Sequence, residues 1–215
     1  MKNDRIYLTI DDGPSEHTEE FLEVLKRYDS LATFFVVGEK ISGKEDIIKR
    51  MHDEGHTIGV HGYSHDYKYV YQSCESFWKD NLRTRDMLKD ITGKAPELMR
   101  FQGGSSNTVS IHYCKGIMTE LTKQAASYGY RYFDWNICPN DTRGSKVSIS
   151  ELYDSIMSEL QSGCYDPPVI LIHDLDHLTQ NVELTERLLH DRISNGYRFV
   201  GIDNDTPVIY QIVEN

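Results

Sequence analysis

Short apolar runs and longer stretches with apolar residues at helical spacing take turns along the chain. The short runs, rich in β-branched and aromatic residues, predict strands over 5–10 (RIYLTI), 32–38, 56–61, 97–101, 130–135, 168–173 and 197–202. The longer stretches predict helices over 15–29, 43–55, 74–93, 112–129, 148–163 and 179–196. In the first of these Phe21, Leu22, Leu25 and Tyr28 recur on one face, Glu19 and Glu20 lie early, and Ser15 is the expected cap. Ser150 is the expected cap of 148–163, and Gly55 and Gly129 are expected stops. Seven strands separated by helices predict an α/β fold with a parallel sheet, either closed or open and doubly wound. No linker, low-complexity tract or internal repeat interrupts residues 1–215, so one domain is expected.

The polar residues at the predicted strand ends decide between the two sheets. The first strand ends in Asp11-Asp12, the third in His61 with His65 close behind, and the fourth holds Arg100 followed by Gln102, Gly103 and Gly104. The fifth ends in Asp134-Trp135, and the sixth in His173-Asp174. Polar groups from many strand ends favour a closed or partly closed (β/α) barrel with about seven parallel strands, whose site lies on the C-terminal rim.

Two adjacent aspartates repel each other, and no basic residue stands within three positions of them. A cation held by one carboxylate and two imidazoles accounts for the arrangement, because a zinc site needs three N or O ligands and an open position. His61 and His65 in HGYSH supply the imidazoles, and the second aspartate stays free as a base. The remaining residues suit hydrolysis: a carboxylate to take a proton from water, a histidine to give one to the leaving group, an arginine to orient a carboxylate, and glycine N–H groups to hold an oxyanion. Each residue also has a structural reading. An aspartate can cap the next helix, although Gly13-Pro14 intervene; His173 can be a core histidine; Arg100 can form a structural ion pair; Trp135 can be packing. His17, His52, His56, His112, His177 and His190 belong to no constellation and are read as surface or packing residues. HDLDH (173–177) offers a second H-x-x-x-H pair, disfavoured because His177 lies beyond the strand end without a third ligand.

Composition narrows the partners. With 215 residues, 39% hydrophobic and 27% charged, the chain has an ordinary globular make-up. A net charge of -11 argues against nucleic acid. Cys74, Cys114, Cys138 and Cys164 form no C-x-x-C pair and are too sparse for a disulfide scaffold; they are expected mostly as buried thiols, with one bridge left open. No apolar stretch is long enough to span a membrane, and no leader-like segment precedes the first strand.

Taken in order, TIDDGP, HGYSH, RFQGG, FDWN and LIH resemble the motifs of the polysaccharide deacetylase family, carbohydrate esterase family four, from about residue 5 to residue 202. The resemblance implies a distorted (β/α) barrel and removal of acetyl groups from N-acetylated or O-acetylated sugars with one divalent metal: zinc, or alternatively cobalt or manganese. It implies Asp12, His61 and His65 as metal ligands, Asp11 as base and Arg100 as its orienting partner. It further implies Gly103 as oxyanion donor, Asp134 as the acid-tuning carboxylate, Trp135 and Leu171 as pocket walls, and His173 as the acid. One position departs from the pattern: the third motif usually reads Arg-x-Pro, and Gln102 stands in place of the proline, so a looser or re-aimed oxyanion loop is expected.

The leading expectation is an N-acetylglucosamine deacetylase acting on a polysaccharide, peptidoglycan first. The alternatives are an O-acetyl esterase on acetylxylan or another acyl substrate, and a catalytically degenerate glycan-binding module. A monomer is expected. Wall polymers lie outside the cytoplasm, so an extracellular or cell-envelope protein is expected, with its leader or anchor absent from this sequence; a cytoplasmic location is the alternative.

Overall fold

The computed structural model describes residues 4–143 and 147–215; the one-domain expectation also covers residues 1–3 and 144–146, which lie outside the described residues. The order is β1 (Arg5–Asp11), α1 (Thr18–Arg27), β2 (Thr33–Val36), α2 (Glu45–Asp53), β3 (Thr57–Val60), the single turn α3 (Tyr67–Val70), α4 (Cys74–Thr92) and β4 (Leu98–Met99). Then come α5 (Ile117–Gln124), β5 (Arg131–Tyr132), α6 (Ile149–Ser162), β6 (Val169–His173), α7 (Gln180–Ser194) and β7 (Arg198–Phe199). All strand pairs are parallel, in the order β5-β4-β3-β2-β1-β6.

Two features close and distort the barrel. The segment after β5 reaches β6: Ile137 bridges Ile170, and Leu171 N–H donates to Ile137 O at 2.9 Å. At the opposite, N-terminal end β7 pairs with Arg5 and Ile6 of β1, and Leu31 N–H donates to Phe199 O at 3.2 Å. β7 therefore wedges in where β1 and β2 diverge, and Ile202 N–H donates to Thr33 Oγ1 at 2.9 Å to fix it.

Side chains alternate across a strand, and here the alternation sorts the core into two layers. Ile6, Leu8 and Ile10 of β1 face the helices, in one cluster with Phe34, Met99, Phe101, Ile170 and Ile172. Tyr7, Phe35, Leu98, Phe133 and Val169 form a second cluster, which fills the barrel interior. The interior parity continues to the C-terminal strand ends as Thr9-x-Asp11, Leu98-x-Arg100 and Val169-x-Leu171-x-His173. Parity alone thus brings a carboxylate, a guanidinium and an imidazole into one mouth. Gly59 of β3 makes room for the interior Phe35, since a Cβ there would lie 2.6 Å from its ring.

Several local expectations need correction. Ser15 does not cap α1; its Oγ donates to the buried Asp174 carboxylate, and the N-cap position falls to His17. Ser148, not Ser150, caps α6, forming a reciprocal capping box with Glu151. The predicted helix 112–129 is broken: α5 starts only after Gly116, at φ 80°, and ends in a 3-10 turn. All four cysteines are free thiols, Cys164 exposed and the others partly buried. No helix among the described residues is long and apolar enough to cross a membrane.

The capping box gives a direct test. Ser148→Ala removes one of the hydrogen bonds that start α6 and is expected to lower unfolding free energy by about 1 kcal/mol, read by urea denaturation.

Candidate active site

The sharp turn after β1 resolves the adjacent aspartates. Consecutive strand residues point to opposite faces, but Asp12 adopts φ 73°, a left-handed conformation that aspartate tolerates better than most residues. The turn brings its carboxylate to the same mouth as Asp11. Lys40 Nζ donates to the Asp12 carbonyl at 2.8 Å and holds the turn.

Different partners then separate the two carboxylates. Asp11, 2% exposed, accepts on Oδ1 from Arg100 Nη1 at 2.8 Å, while its Oδ2 lies 3.7 Å from His61 Nε2. Asp12 Oδ1 is buried without a hydrogen-bond partner among the described residues, 3.4 Å from His61 Nε2 and 3.3 Å from His65 Nε2. Burial works to raise the Asp12 pKa, but the His61, His65, His173 and Lys40 charges outweigh it and hold the carboxyl below its usual value. Burial, helped by the His61 charge, lowers the His65 pKa and favours the neutral, ligating imidazole.

These three residues fit a metal ion. Their ligand atoms lie within 4.8 Å of one another. A tetrahedral zinc site with bonds of about 2.0–2.1 Å has edges of about 3.3–3.4 Å, matching the two spacings from Asp12 Oδ1. His61 Nδ1 lies 2.9 Å from Arg100 O, and a proton donated there leaves Nε2 a bare lone pair aimed at Asp12.

Arg100 is buried at the centre of this arrangement. Its Nε donates to Phe133 O (2.8 Å), Nη1 to Thr9 Oγ1 (2.7 Å) as well as to Asp11, and Nη2 to Asp134 O (2.9 Å). The guanidinium lies over the Phe35 ring at 4.2 Å and 5.5 Å from that of Trp135. Arg100 therefore has no freedom to leave Asp11.

His173 ends β6, in register with Asp11. Its Nδ1 pairs with Asp141 Oδ1 at 2.8 Å, and Asp141 Oδ2 accepts from the His173 N–H (2.8 Å) and from Asn181 Nδ2 (2.7 Å). Burial alone would lower the His173 pKa; the Asp141 hydrogen bond and charge, with smaller contributions from Asp12 and Asp11, push it up to about 9. The carboxylate assigned to tune this histidine is thus corrected. Asp134 instead accepts from Ser105 N–H (2.8 Å), Ser105 Oγ (2.5 Å) and Gln211 N–H (2.9 Å), and organises the neighbouring loop. Asp141 was missed because it sits in an irregular loop, where no periodicity marks which way a side chain faces.

The cleft, of about 630 Å³, is lined by Asp11, Asp12, His61, His65, Gly103, Trp135, Leu171 and His173, so nearly all the expected site residues meet there. Tyr67 and Cys138 also line it, and burial pushes the Cys138 thiol up to about 11. Among the described residues His177 joins no ligand group; His56 accepts from Ala32 N–H at 3.2 Å and packs on Phe34, as a packing residue should.

Comparison with known proteins gives concordant findings. The family model described as polysaccharide deacetylase matches residues 1–133. A peptidoglycan-N-acetylglucosamine deacetylase of Bacillus cereus is 30% identical over 90% of this chain and 67% of its own length. A peptidoglycan-N-acetylmuramic acid deacetylase of Bacillus subtilis is 27% identical over 94% of this chain and 72% of its own. The solved catalytic domain of a peptidoglycan N-acetylglucosamine deacetylase from Eubacterium rectale superposes with a TM-score of 0.92 at 35% identity, covering 99% of this chain and 94% of that one.

Two tests follow from the geometry. Calorimetric titration of metal-stripped protein with zinc is expected to find one site, and His65→Ala to weaken it by more than about 100-fold. Asp141→Asn removes the main group that raises the His173 pKa, leaving burial to lower it. If His173 works protonated, the rate holds until pH approaches about 9 and falls above it; in the variant this basic limb is expected to move down by more than about one pH unit.

Proposed function

The chain belongs to the polysaccharide deacetylase family, and from that membership we propose that it is a metal-dependent hydrolase removing N-acetyl groups from N-acetylglucosamine residues of peptidoglycan. The observation that carries this reading is the placement of Asp11 between two groups with different tasks. In the strand order β3-β2-β1-β6, the ligand loop of His61 and His65 follows β3 on one side of β1, and His173 ends β6 on the other. The substrate class is supported by the relatives named above.

Asp12, His61 and His65 would hold the ion. When bound, it polarises the acetyl carbonyl and lowers the pKa of water at the site. The residues of the chain do the rest. Arg100 pins Asp11 Oδ1, so Oδ2 is the oxygen that accepts the proton of the attacking water. Gly103 N–H, without a partner among the described residues, donates to the carbonyl oxygen as negative charge develops there. His173, protonated at neutral pH and held on Nδ1 by Asp141, gives its Nε2 proton to the departing amine. Trp135 and Leu171 form apolar walls suited to the acetyl methyl group and the sugar face. We assign residues 1–215 to a single catalytic domain, and the wall substrate places its work outside the cytoplasm or at the cell envelope.

Acetate release from N-acetylglucosamine oligomers tests the reading. Metal-stripped protein is expected to be inactive and to recover with zinc, cobalt or manganese, while Asp11→Asn and His173→Ala each lose about 100-fold or more in kcat. Full activity in either variant would refute the assigned mechanism. Faster release from acetylxylan than from the oligomers would replace the amide substrate with an ester, and silence on both would favour a glycan-binding role.

A further inference from the structure

Two loops frame the candidate metal centre, and one residue joins them. Residues 61–65 carry both imidazoles, and residues 102–104 carry the Gly103 N–H. Gln102, 1% exposed, follows β4 between them. Its Nε2 donates to His61 O at 2.9 Å and to Ser64 O at 2.7 Å, clasping the ligand loop at both ends. Chemistry fixes the amide in this sense, because turned over it would set Oε1 against two carbonyl oxygens. The backbone carbonyl of Gln102 accepts from Tyr71 Oη at 2.7 Å and from Asn107 Nδ2 at 2.9 Å. In a trans peptide the C=O and the next N–H point in opposite directions. Anchoring the Gln102 carbonyl on Tyr71 and Asn107 therefore turns the Gly103 N–H away from both, and Gly103 lines the cleft.

The packing leaves no slack. A Cβ on Gly62 would lie 2.3 Å from Gln102 Nε2, and one on Gly103 would lie 2.7 Å from Tyr67 Oη; both glycines also have positive φ. Where the missing proline led to the expectation of a looser or re-aimed loop, four hydrogen bonds hold the position, two of them made by an amide that proline lacks.

We infer that Gln102 is a positioning residue with two outputs: its side chain sets the spacing of the His61 and His65 imidazoles, and its carbonyl sets the direction of the Gly103 N–H. The second output rests on the deacetylase reading; the first does not.

The test separates the outputs. Zinc affinity is read by competition with a chelating dye, and ligand geometry by the absorption spectrum of the cobalt-substituted protein, both without substrate. Gln102→Leu is expected to weaken zinc binding by about tenfold to 100-fold and to alter the cobalt bands, with far-UV circular dichroism unchanged. Gln102→Met, unbranched and close in length, carries the same expectation should the leucine variant fail to fold. Tyr71→Phe frees one anchor of the carbonyl but leaves the clasp intact. It is expected to keep wild-type zinc affinity and cobalt spectrum while kcat falls roughly tenfold at unchanged KM. Wild-type zinc affinity and cobalt spectrum in both Gln102 variants would overturn the inference. So would a loss of zinc affinity in Tyr71→Phe equal to that in Gln102→Leu. A wild-type protein that binds zinc but releases no acetate would instead sink the deacetylase reading, and the zinc measurements would still decide the role of the clasp.

Discussion

The site depends on one buried cation. Arg100 lies wholly inside the barrel, where an unpaired charge would be costly by several kcal/mol. Its contacts offset that cost: Asp11 supplies the counter-charge, and Thr9, Phe133 and Asp134 supply oxygen acceptors from β1 and from the segment after β5. The same contacts fasten two distant stretches of the barrel together at the level where the chemistry lies. Arg100 contributes its own carbonyl as well, to His61 Nδ1, so one residue orients the carboxylate proposed as base and sets the tautomer of a candidate metal ligand.

Around that cation, like groups acquire unlike tasks from their partners. Asp11, Asp12 and Asp141 are chemically the same carboxylate. The first is held by a guanidinium, the second faces two imidazoles, and the third grips a histidine and a backbone N–H. The histidines divide in the same way. Burial and the His61 charge lower the His65 pKa; against Asp141, the His173 pKa is pushed up to about 9 despite its burial. Environment, rather than residue type, sorts the proposed ligands from the proposed base and acid.

The tail of the chain belongs to this machinery. Beyond β7 it runs back to the rim: Gln211 N–H donates to the Asp134 carboxylate, Gln211 Nε2 donates to Trp135 O at 3.2 Å, and Ser106 Oγ donates to Gln211 Oε1 at 2.5 Å. Further on, Asn215 accepts from Gly116 N–H and Thr119 N–H at the start of α5. The loop that presents Gly103 is thereby held from its far side by residues outside the stretch that the family model matches.

The sequence by itself determined the repeating strand and helix order, the parallel sheet and the gathering of Asp11, Asp12, His61, His65, Arg100 and His173 on one rim. These follow from local rules: apolar periodicity names the elements and their ends, and alternation along a strand assigns Asp11, Arg100 and His173 to the interior, while Asp12 reaches the same mouth through its left-handed turn. The tertiary structure alone decided that Asp141, and not Asp134, holds His173, that Ser15 serves Asp174 instead of capping α1, and that Gln102 clasps the ligand loop. Each of these side chains lies in an irregular segment, where no period fixes its direction, and each meets a partner from another strand end: Asp141 where the segment after β5 closes on β6, Ser15 across the β1–β6 pair, and Gln102 across the β3–β4 pair.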